Sequence, residues 1–386
     1  MTSGRRLPRA LLATRIFAPE PAAASFRLAA LVRALSEKAE VTILTVTEPS
    51  RAATRMPSTV KIRRWPVLRD RTGYVRGYLP YASFDVPLAL RLLLAPRPHV
   101  VVVEPPPTTG VVVRAVCAIR RVPYVYNAAD VWSDAAESTG SPGIVVRLLR
   151  VLERWAVRGA SAVLSVSDGV SERVRELGAT NVVTVGNGVD TEVFTPDGGR
   201  RGEGQFLLYA GTASEWQGAE VFVRAMPRVL EEITDAKLVF LGQGSSWPTL
   251  QIEAERLDPG AVTFLPVAPP STSAEWLRGA SGALVSLKPG QGYDFAIPTK
   301  VFAALASGTP VVYAGPGPAA ELIDRSAMGW ACAYDVGAVA DAMISALRTS
   351  HVGGEPQRLA AWVEEHRSLA AVARRSTEVV LAARRR

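Results

Sequence analysis

Cysteine is scarce in this 386-residue chain, which has two, Cys117 and Cys332, far apart and set among apolar neighbours. That excludes a disulfide scaffold and predicts two reduced packing thiols, the usage of a cytoplasmic protein. Histidine numbers three, so no cluster has metal-ligand spacing and no metal is expected. Nothing approaches the roughly 18 uninterrupted apolar residues of a transmembrane helix. The opening RRLPRALLATRIFAPEP sets basic residues ahead of an apolar run, as a signal peptide does. Arg15 interrupts that run, so Ala10–Phe17 reads instead as a first buried strand. Paired carboxylates and a Ser–His–Asp set are missing as well, and so are a Walker A loop and a GxGxxG fingerprint.

What is present suits two domains, because 386 residues exceed one ordinary core. Hydrophobic residues make up 48% and charged residues 21%, ordinary for a globular α/β protein. Charge is uneven. Residues 1–195 hold 26 Lys+Arg against 16 Asp+Glu, and residues 196–386 hold 18 against 20. A basic front half predicts an anionic partner for it, unless it only reflects an arginine-rich proteome.

Short β-branched runs alternate with longer amphipathic segments. Front-half strands are predicted at 11–17, 41–46, 60–67, 100–104, 123–128, 162–167 and 182–187, with helices such as 26–38 and 146–160 between them. Several, like VVVVE at 100–104, are apolar at successive positions, the mark of strands covered on both faces. TEVFTPDGGRRGEGQ (191–205) breaks the pattern and predicts a linker. The alternation restarts with strands at 206–211, 237–244, 261–267, 282–288 and 310–315, then helices to the end and a solvated ARRR tail. The predicted fold class is α/β, with two Rossmann-like doubly wound domains, 1–192 and 193–368, and an inter-domain cleft facing the strands' carboxyl ends.

In YDFAIPTKVFAALASGTPVV (293–312), Ile297-Pro298-Thr299-Lys300 opens an alanine-rich helix. Free first-turn N–H groups, the helix dipole and a lysine together make an anion site. A capped helix with a surface lysine is the plain alternative. Gly211-Thr212, Gly242-Gln243 and Gly315-Pro316-Gly317 end further strands in tight turns. One such turn is ordinary chain reversal, whereas four sites on one sheet edge point to a phosphate-bearing ligand.

The order strand–Gly-Thr–helix, LVFLGQG, IPTKVFAALASGTPVV and a Gly/Pro turn with Glu321 resembles the nucleotide-sugar domain of retaining family 4 GT-B glycosyltransferases. RIFAPEPAAASFRLAALVRALSEKAEVTILT resembles that family's opening strand, loop and helix, and NGVD…F.P resembles its inter-domain crossing. PPPTTG (105–110) and NAADVW (127–132) are similar to bacterial enzymes that decorate lipid-linked surface glycans. The resemblance implies a transferase using a UDP-N-acetyl sugar as co-substrate, with no further cofactor and no metal. It places donor contacts at Gly211, Thr212, Gln217, Gly242, Gln243, Pro298, Thr299, Lys300, Gly317 and Glu321. It places acceptor contacts at Ser25, Arg27, Asp130 and Trp132, catalytic roles at Asp130 and Lys300, and a terminal helix (369–386) back on the first domain. The chain departs from the family where it usually has two glutamates, here Phe295 and Ala303, and an Arg and a Lys, here Thr212 and Gln217.

Asp130 is the best acid at a front-half strand end, although DVWSDAAES also suits it as a helix N-cap. KIRRWPVLRDRTGYVRG, from Lys61 onward, and the apolar YLPYASFDVPLALRLLL (78–94) suit an anionic membrane surface and a polyprenyl-diphosphate-linked or other glycan acceptor. A solvated loop and a core helix are the alternative. With no nucleic-acid module beside the charge, no nucleic acid is expected. The implied place is the cytoplasm, with peripheral contact at the inner membrane face through 61–94. Three other readings stay open: a catalytically degenerate GT-B partner, a UDP-sugar 2-epimerase-like enzyme, and a transferase acting on small natural products.

Overall fold

The computed structural model describes residues 7–20, 23–47, 56–69, 75, 77–138, 141–349 and 355–384. Residues 70–74 and 76 of the basic stretch after Lys61, and the last two of the ARRR tail, lie outside them. The chain divides into two compact units, 1–187 with 369–386, and 188–368.

The first unit runs β1 (Arg9–Ala13), α1 (Ala23–Ser36), β2 (Glu40–Val46), β3 (Val60–Trp65), α2 (Tyr78–Leu94), β4 (Val100–Val103), α3 (Pro107–Arg120), β5 (Tyr124–Ala128), α4 (Trp132–Ser138), α5 (Gly143–Arg158), β6 (Ala162–Ser165), α6 (Asp168–Glu176) and β7 (Val182–Thr184). Its seven strands are parallel in the order β3-β2-β1-β4-β5-β6-β7. The VVVV of β4 is buried at every position, whereas the edge strand β3 alternates. One core layer packs α2, α3 and α5 on one face of the sheet, and another packs α1 on the opposite face.

The second unit runs β8 (Phe206–Thr212), α7 (Glu220–Glu232), β9 (Lys237–Gln243), α8 (Trp247–Ala254), β10 (Val262–Leu265), α9 (Pro270–Gly279), β11 (Gly282–Ser286), α10 (Thr299–Ala306), β12 (Val311–Ala314), α11 (Pro318–Arg325), β13 (Gly329–Cys332), α12 (Val336–Arg348) and α13 (Glu355–Arg367). Its six strands are parallel in the order β10-β9-β8-β11-β12-β13. Two doubly wound parallel α/β sheets are thus present. Only helices were expected after 315, yet Gly329–Cys332 is a strand. Its four residues are half-buried at the sheet edge, too few and too mixed to show a period.

The last helix, α14 (Leu369–Ala383), returns to the first unit and packs on α1, with Val372, Val380 and Ala383 buried there. Both cysteines are free thiols, and burial pushes them up to about 12 for Cys117 and about 11 for Cys332.

In each sheet the strand order reverses at one place, between β1 and β4 and between β8 and β11. Crossover helices diverge there and leave a crevice at the carboxyl ends, where open α/β sheets take ligands. Val380→Asp would bury an unpaired carboxylate between α14 and α1. It is expected to cost at least about 3 kcal/mol of unfolding free energy, read as a lower denaturant midpoint, and an unchanged midpoint would mean that α14 is a detachable tail.

Candidate functional site

At the β8–β11 reversal, α10 starts on Pro298, whose missing N–H costs nothing at a helix start. Thr299 is exposed on the first turn, and Lys300 turns inward over the end of β8. Its Nζ donates to the Tyr209 hydroxyl at 2.8 Å and to the Thr212 carbonyl at 3.0 Å, and lies 4.0 Å from the centroid of the Tyr209 ring. Tyr209 is fully buried, and its own hydroxyl donates to the Thr212 carbonyl at 3.0 Å. All these partners are neutral, and no carboxylate among the described residues pairs with this ammonium. Burial therefore pushes Lys300 down to about 7. An ammonium whose partners are all neutral gains by acquiring an anion.

The glycines around it divide into two kinds. Gly211 is exposed at φ 118°, and a Cβ there would meet only Lys300, with Cε at 3.8 Å, so backbone lies open beside the ammonium. Gly242 is demanded by packing instead, because its Cβ would fall 2.2 Å from the Gly211 carbonyl oxygen. Gln243 and Thr212 are exposed where β9 and β8 end in register. Gln217 is buried and accepts the Ser214 N–H on its Oε1 at 3.0 Å, holding its own turn. Gly317 is the N-cap of α11, and Glu321 on that helix's first turn is exposed and 3.4 Å from Arg325.

Phe295 is exposed at 45%. Ala303 lends a methyl to an apolar recess of about 150 Å³ that Lys300, Ala210, Leu277 and Phe194 also line. Sequence reasoning missed Tyr209, hidden inside an apolar strand. It also missed the stack of Trp216 on Tyr293, with centroids 4.4 Å apart, which joins two loops distant in sequence.

In the first unit the β1–β4 reversal collects a second set. Glu104, immediately after β4, is buried and accepts from Arg27 at 3.1 Å and from Asn127. Burial raises its pKa while Arg27 and Asn127 oppose the rise. Ser25 is 1% exposed, and neither its Oγ nor the Arg27 Nε has a hydrogen-bond partner. Asp130 keeps solvent contact at the end of β5, yet surrounding protein raises its pKa and Arg27 lowers it. It does not cap α4. The buried Glu153 of α5 does so, accepting the Trp132 and Ser133 N–H groups at 2.8 and 3.0 Å. Trp132 meets Tyr81 edge-on at 6.2 Å, and the buried Arg15 guanidinium lies 4.1 Å from the Tyr81 centroid. Arg15 was legible only as a charge interrupting an apolar run.

Residues 23–188 match the family model described as a glycosyl transferase 4-like domain, and residues 204–349 match the model for glycosyl transferases group 1. No curated protein matches the chain. Among solved structures, sucrose-phosphate synthase from Thermosynechococcus elongatus is similar with a TM-score of 0.70 at 15% identity, covering 97% of this chain and 98% of that one. HepE of Anabaena, solved with UDP, reaches 0.66 at 13% identity, with 97% and 100% covered. The lipopolysaccharide outer core galactosyltransferase WaaB reaches 0.65 at 12% identity, with 97% and 99% covered. The fold is that of GT-B glycosyltransferases.

The depressed Lys300 fixes a sign for stability. Between about pH 7 and 10.5 the unfolded lysine holds a proton that the folded one has released. Its contribution to stability therefore rises with pH across that window and is lost below it. Denaturant midpoints of the wild type and Lys300→Met, compared from pH 7 to 9.5, are expected to shift in favour of the wild type as pH rises. A pH-independent difference would mean that this lysine titrates normally.

Proposed function

We propose that this chain, whose two halves carry the domains of the GT-B glycosyltransferase superfamily, moves a sugar from a nucleoside-diphosphate donor to an acceptor hydroxyl with retention of anomeric configuration. The observation that carries this reading is Lys300, a cation without a counter-charge at a helix N-terminus beside the open backbone of Gly211. In the proposed step the bond from the anomeric carbon to the diphosphate oxygen breaks through an oxocarbenium-like state. The acceptor oxygen bonds to the same face, and its proton passes to the departing diphosphate. Lys300 and the first-turn N–H groups of α10 stabilise the charge that develops on that leaving group. No protein base is needed, in keeping with the absence of a paired-carboxylate set in the sequence. Metal-independent transfer is part of the proposal.

The complex of the similar Anabaena protein with UDP supports a uridine donor, and a UDP-N-acetyl sugar is the proposed co-substrate. The acceptor is a lipid-linked glycan met at Arg27, Asp130 and Trp132. The protein is proposed to work in the cytoplasm at the inner membrane face, touched through 61–94. A second reading, a partner that keeps the fold without turnover, is favoured by Phe295 and Ala303, which bring no acid to the donor side.

Calorimetric titration with UDP, GDP, dTDP and ADP tests the choice. Selective binding of one diphosphate is expected, with Lys300→Ala weakening it at least about tenfold, the lower end for a hydrogen bond to a charged group. Lys288→Ala is expected to change little, because Lys288 lies 3.7 Å from Glu220 and is already partnered. Equal affinities in the two variants would overturn the role of Lys300, and binding of none of the four would favour the second reading.

A further inference from the structure

Helices α2, α3 and α5 lie side by side on one face of the first unit's sheet. Phe84 and Leu88 of α2, Val113 and Val116 of α3, and Ala156 and Val157 of α5 share one core cluster with the strands beneath. Their opposite faces therefore point the same way, out from that unit. Those outer faces are unusual in two respects. The three helices contain seven arginines, at 91, 114, 120, 147, 150, 154 and 158, and two acids, Asp85 and Glu153, which are only 5% and 1% exposed. No carboxylate is left on the exposed side of any of them. The same side carries bare apolar residues at helical spacing, with Ile144, Leu148 and Val151 at 79%, 58% and 63% exposed and Trp155 one turn further on. Leu79, Val86, Leu90 and Leu94 form a matching stripe on α2.

We propose that the outer face of the α2–α3–α5 layer, with α5 as its most basic part, seats the protein on an anionic lipid surface. A stripe of aliphatic and Trp side chains bordered by arginines is what an interfacial helix presents, apolar groups entering below the headgroups and guanidinium groups pairing with their phosphates. Arg147, Arg154 and Arg158 are exposed and pair with no acid among the described residues, so they remain available for that pairing. Arg150 is held by Glu137 at 2.7 Å, and Arg114 lies over Trp155 at 4.3 Å, which orients the aromatic ring at the end of the stripe. Charge decides against a second copy of the chain as the occupant. A two-fold contact would set this face on itself, arginine against arginine, with no exposed carboxylate on the three helices to relieve it and the neighbouring Glu137 already held by Arg150. The proposal extends the membrane contact through 61–94 to a helix that begins about 50 residues later. It rests on the first unit alone, so it stands or falls separately from the donor reading.

Sedimentation of the full chain with vesicles tests it, using phosphatidylcholine alone and phosphatidylcholine mixed with phosphatidylglycerol. Binding to the anionic vesicles only is expected, weakening as salt is raised. Leu148→Glu/Val151→Glu changes two exposed positions and is expected to lower the partition at least tenfold while thermal unfolding and diphosphate binding stay as in the wild type. Arg147→Gln/Arg154→Gln/Arg158→Gln is expected to lower it and to flatten the salt dependence. Absence of binding to anionic vesicles, or a partition unchanged in both variants, would overturn the proposal. So would a wild-type dimer in light scattering that Leu148→Glu/Val151→Glu dissolves, which would give the face to a second copy.

Discussion

A parallel sheet must be covered on both faces, and the display of chemistry in this protein follows from that constraint. β4 is four consecutive valines, all buried, and the first polar group the chain can afford is Glu104, one residue past the strand. β1 behaves alike, giving way from Ala13 to Thr14 and Arg15. In the second unit Phe206–Tyr209 is buried throughout, and exposure begins only at Gly211 and Thr212. Polar groups thus accumulate at strand ends, and the reversals β1–β4 and β8–β11 are where two such ends lie beside diverging helices.

Lys300 shows what that placement does to a charge. Burial opposes its protonation, while a hydroxyl, a carbonyl and an aromatic face oppose the burial. Hydrogen bonds to a charged group are worth about 1.5–3 kcal/mol and a cation–π contact about 0.5–2 kcal/mol. These neutral contacts hold the side chain in place and leave most of its charge unbalanced, whereas a carboxylate partner would have neutralised it and closed the site to anions. Tyr209 is central because its hydroxyl accepts from Lys300 and donates to Thr212, which fixes the hydroxyl's direction and hence the ammonium's position.

How far the sequence revealed this depended on the range of each signal. Central strands covered on both faces announce themselves by unbroken apolar runs, and edge strands such as β3 by alternating or β-branched residues, so twelve were legible within a few residues. β13 was not, because a four-residue half-buried edge strand has neither period nor composition to mark it. Lys300 was visible as a lysine after proline at a helix start. Its partner Tyr209 lies 91 residues away, inside a strand where a tyrosine looks like core. DVWSDAAES suggested its own cap in Asp130, but the cap comes from Glu153 across the fold, and no local pattern encodes that. Gly242 looked like part of a phosphate loop, although its lack of a side chain is required by the neighbouring strand's carbonyl. The amphipathic period of α5 was legible, but which face meets water depended on α3 packing beside it.

Glu153 also ties the two ends of the first unit's chemistry together. It lies on the inner side of α5, while Arg154 and Trp155, its immediate neighbours, lie on the outer side. Its carboxylate is 1% exposed and holds the first two N–H groups of α4. Breaking those bonds would strand a buried acid and the buried Ser133 donor beside the half-buried one of Trp132, and each buried unsatisfied group costs about 1–3 kcal/mol. α5 and the first turn of α4 are therefore held as one body. Wherever the outer face of α5 is seated, the position of Trp132 follows, with Asp130 two residues before it. The proposed surface contact and a strand-end site that share no residue are coupled in this way through one buried carboxylate, with the exposed Arg150–Glu137 ion pair as a second tie between the same two helices.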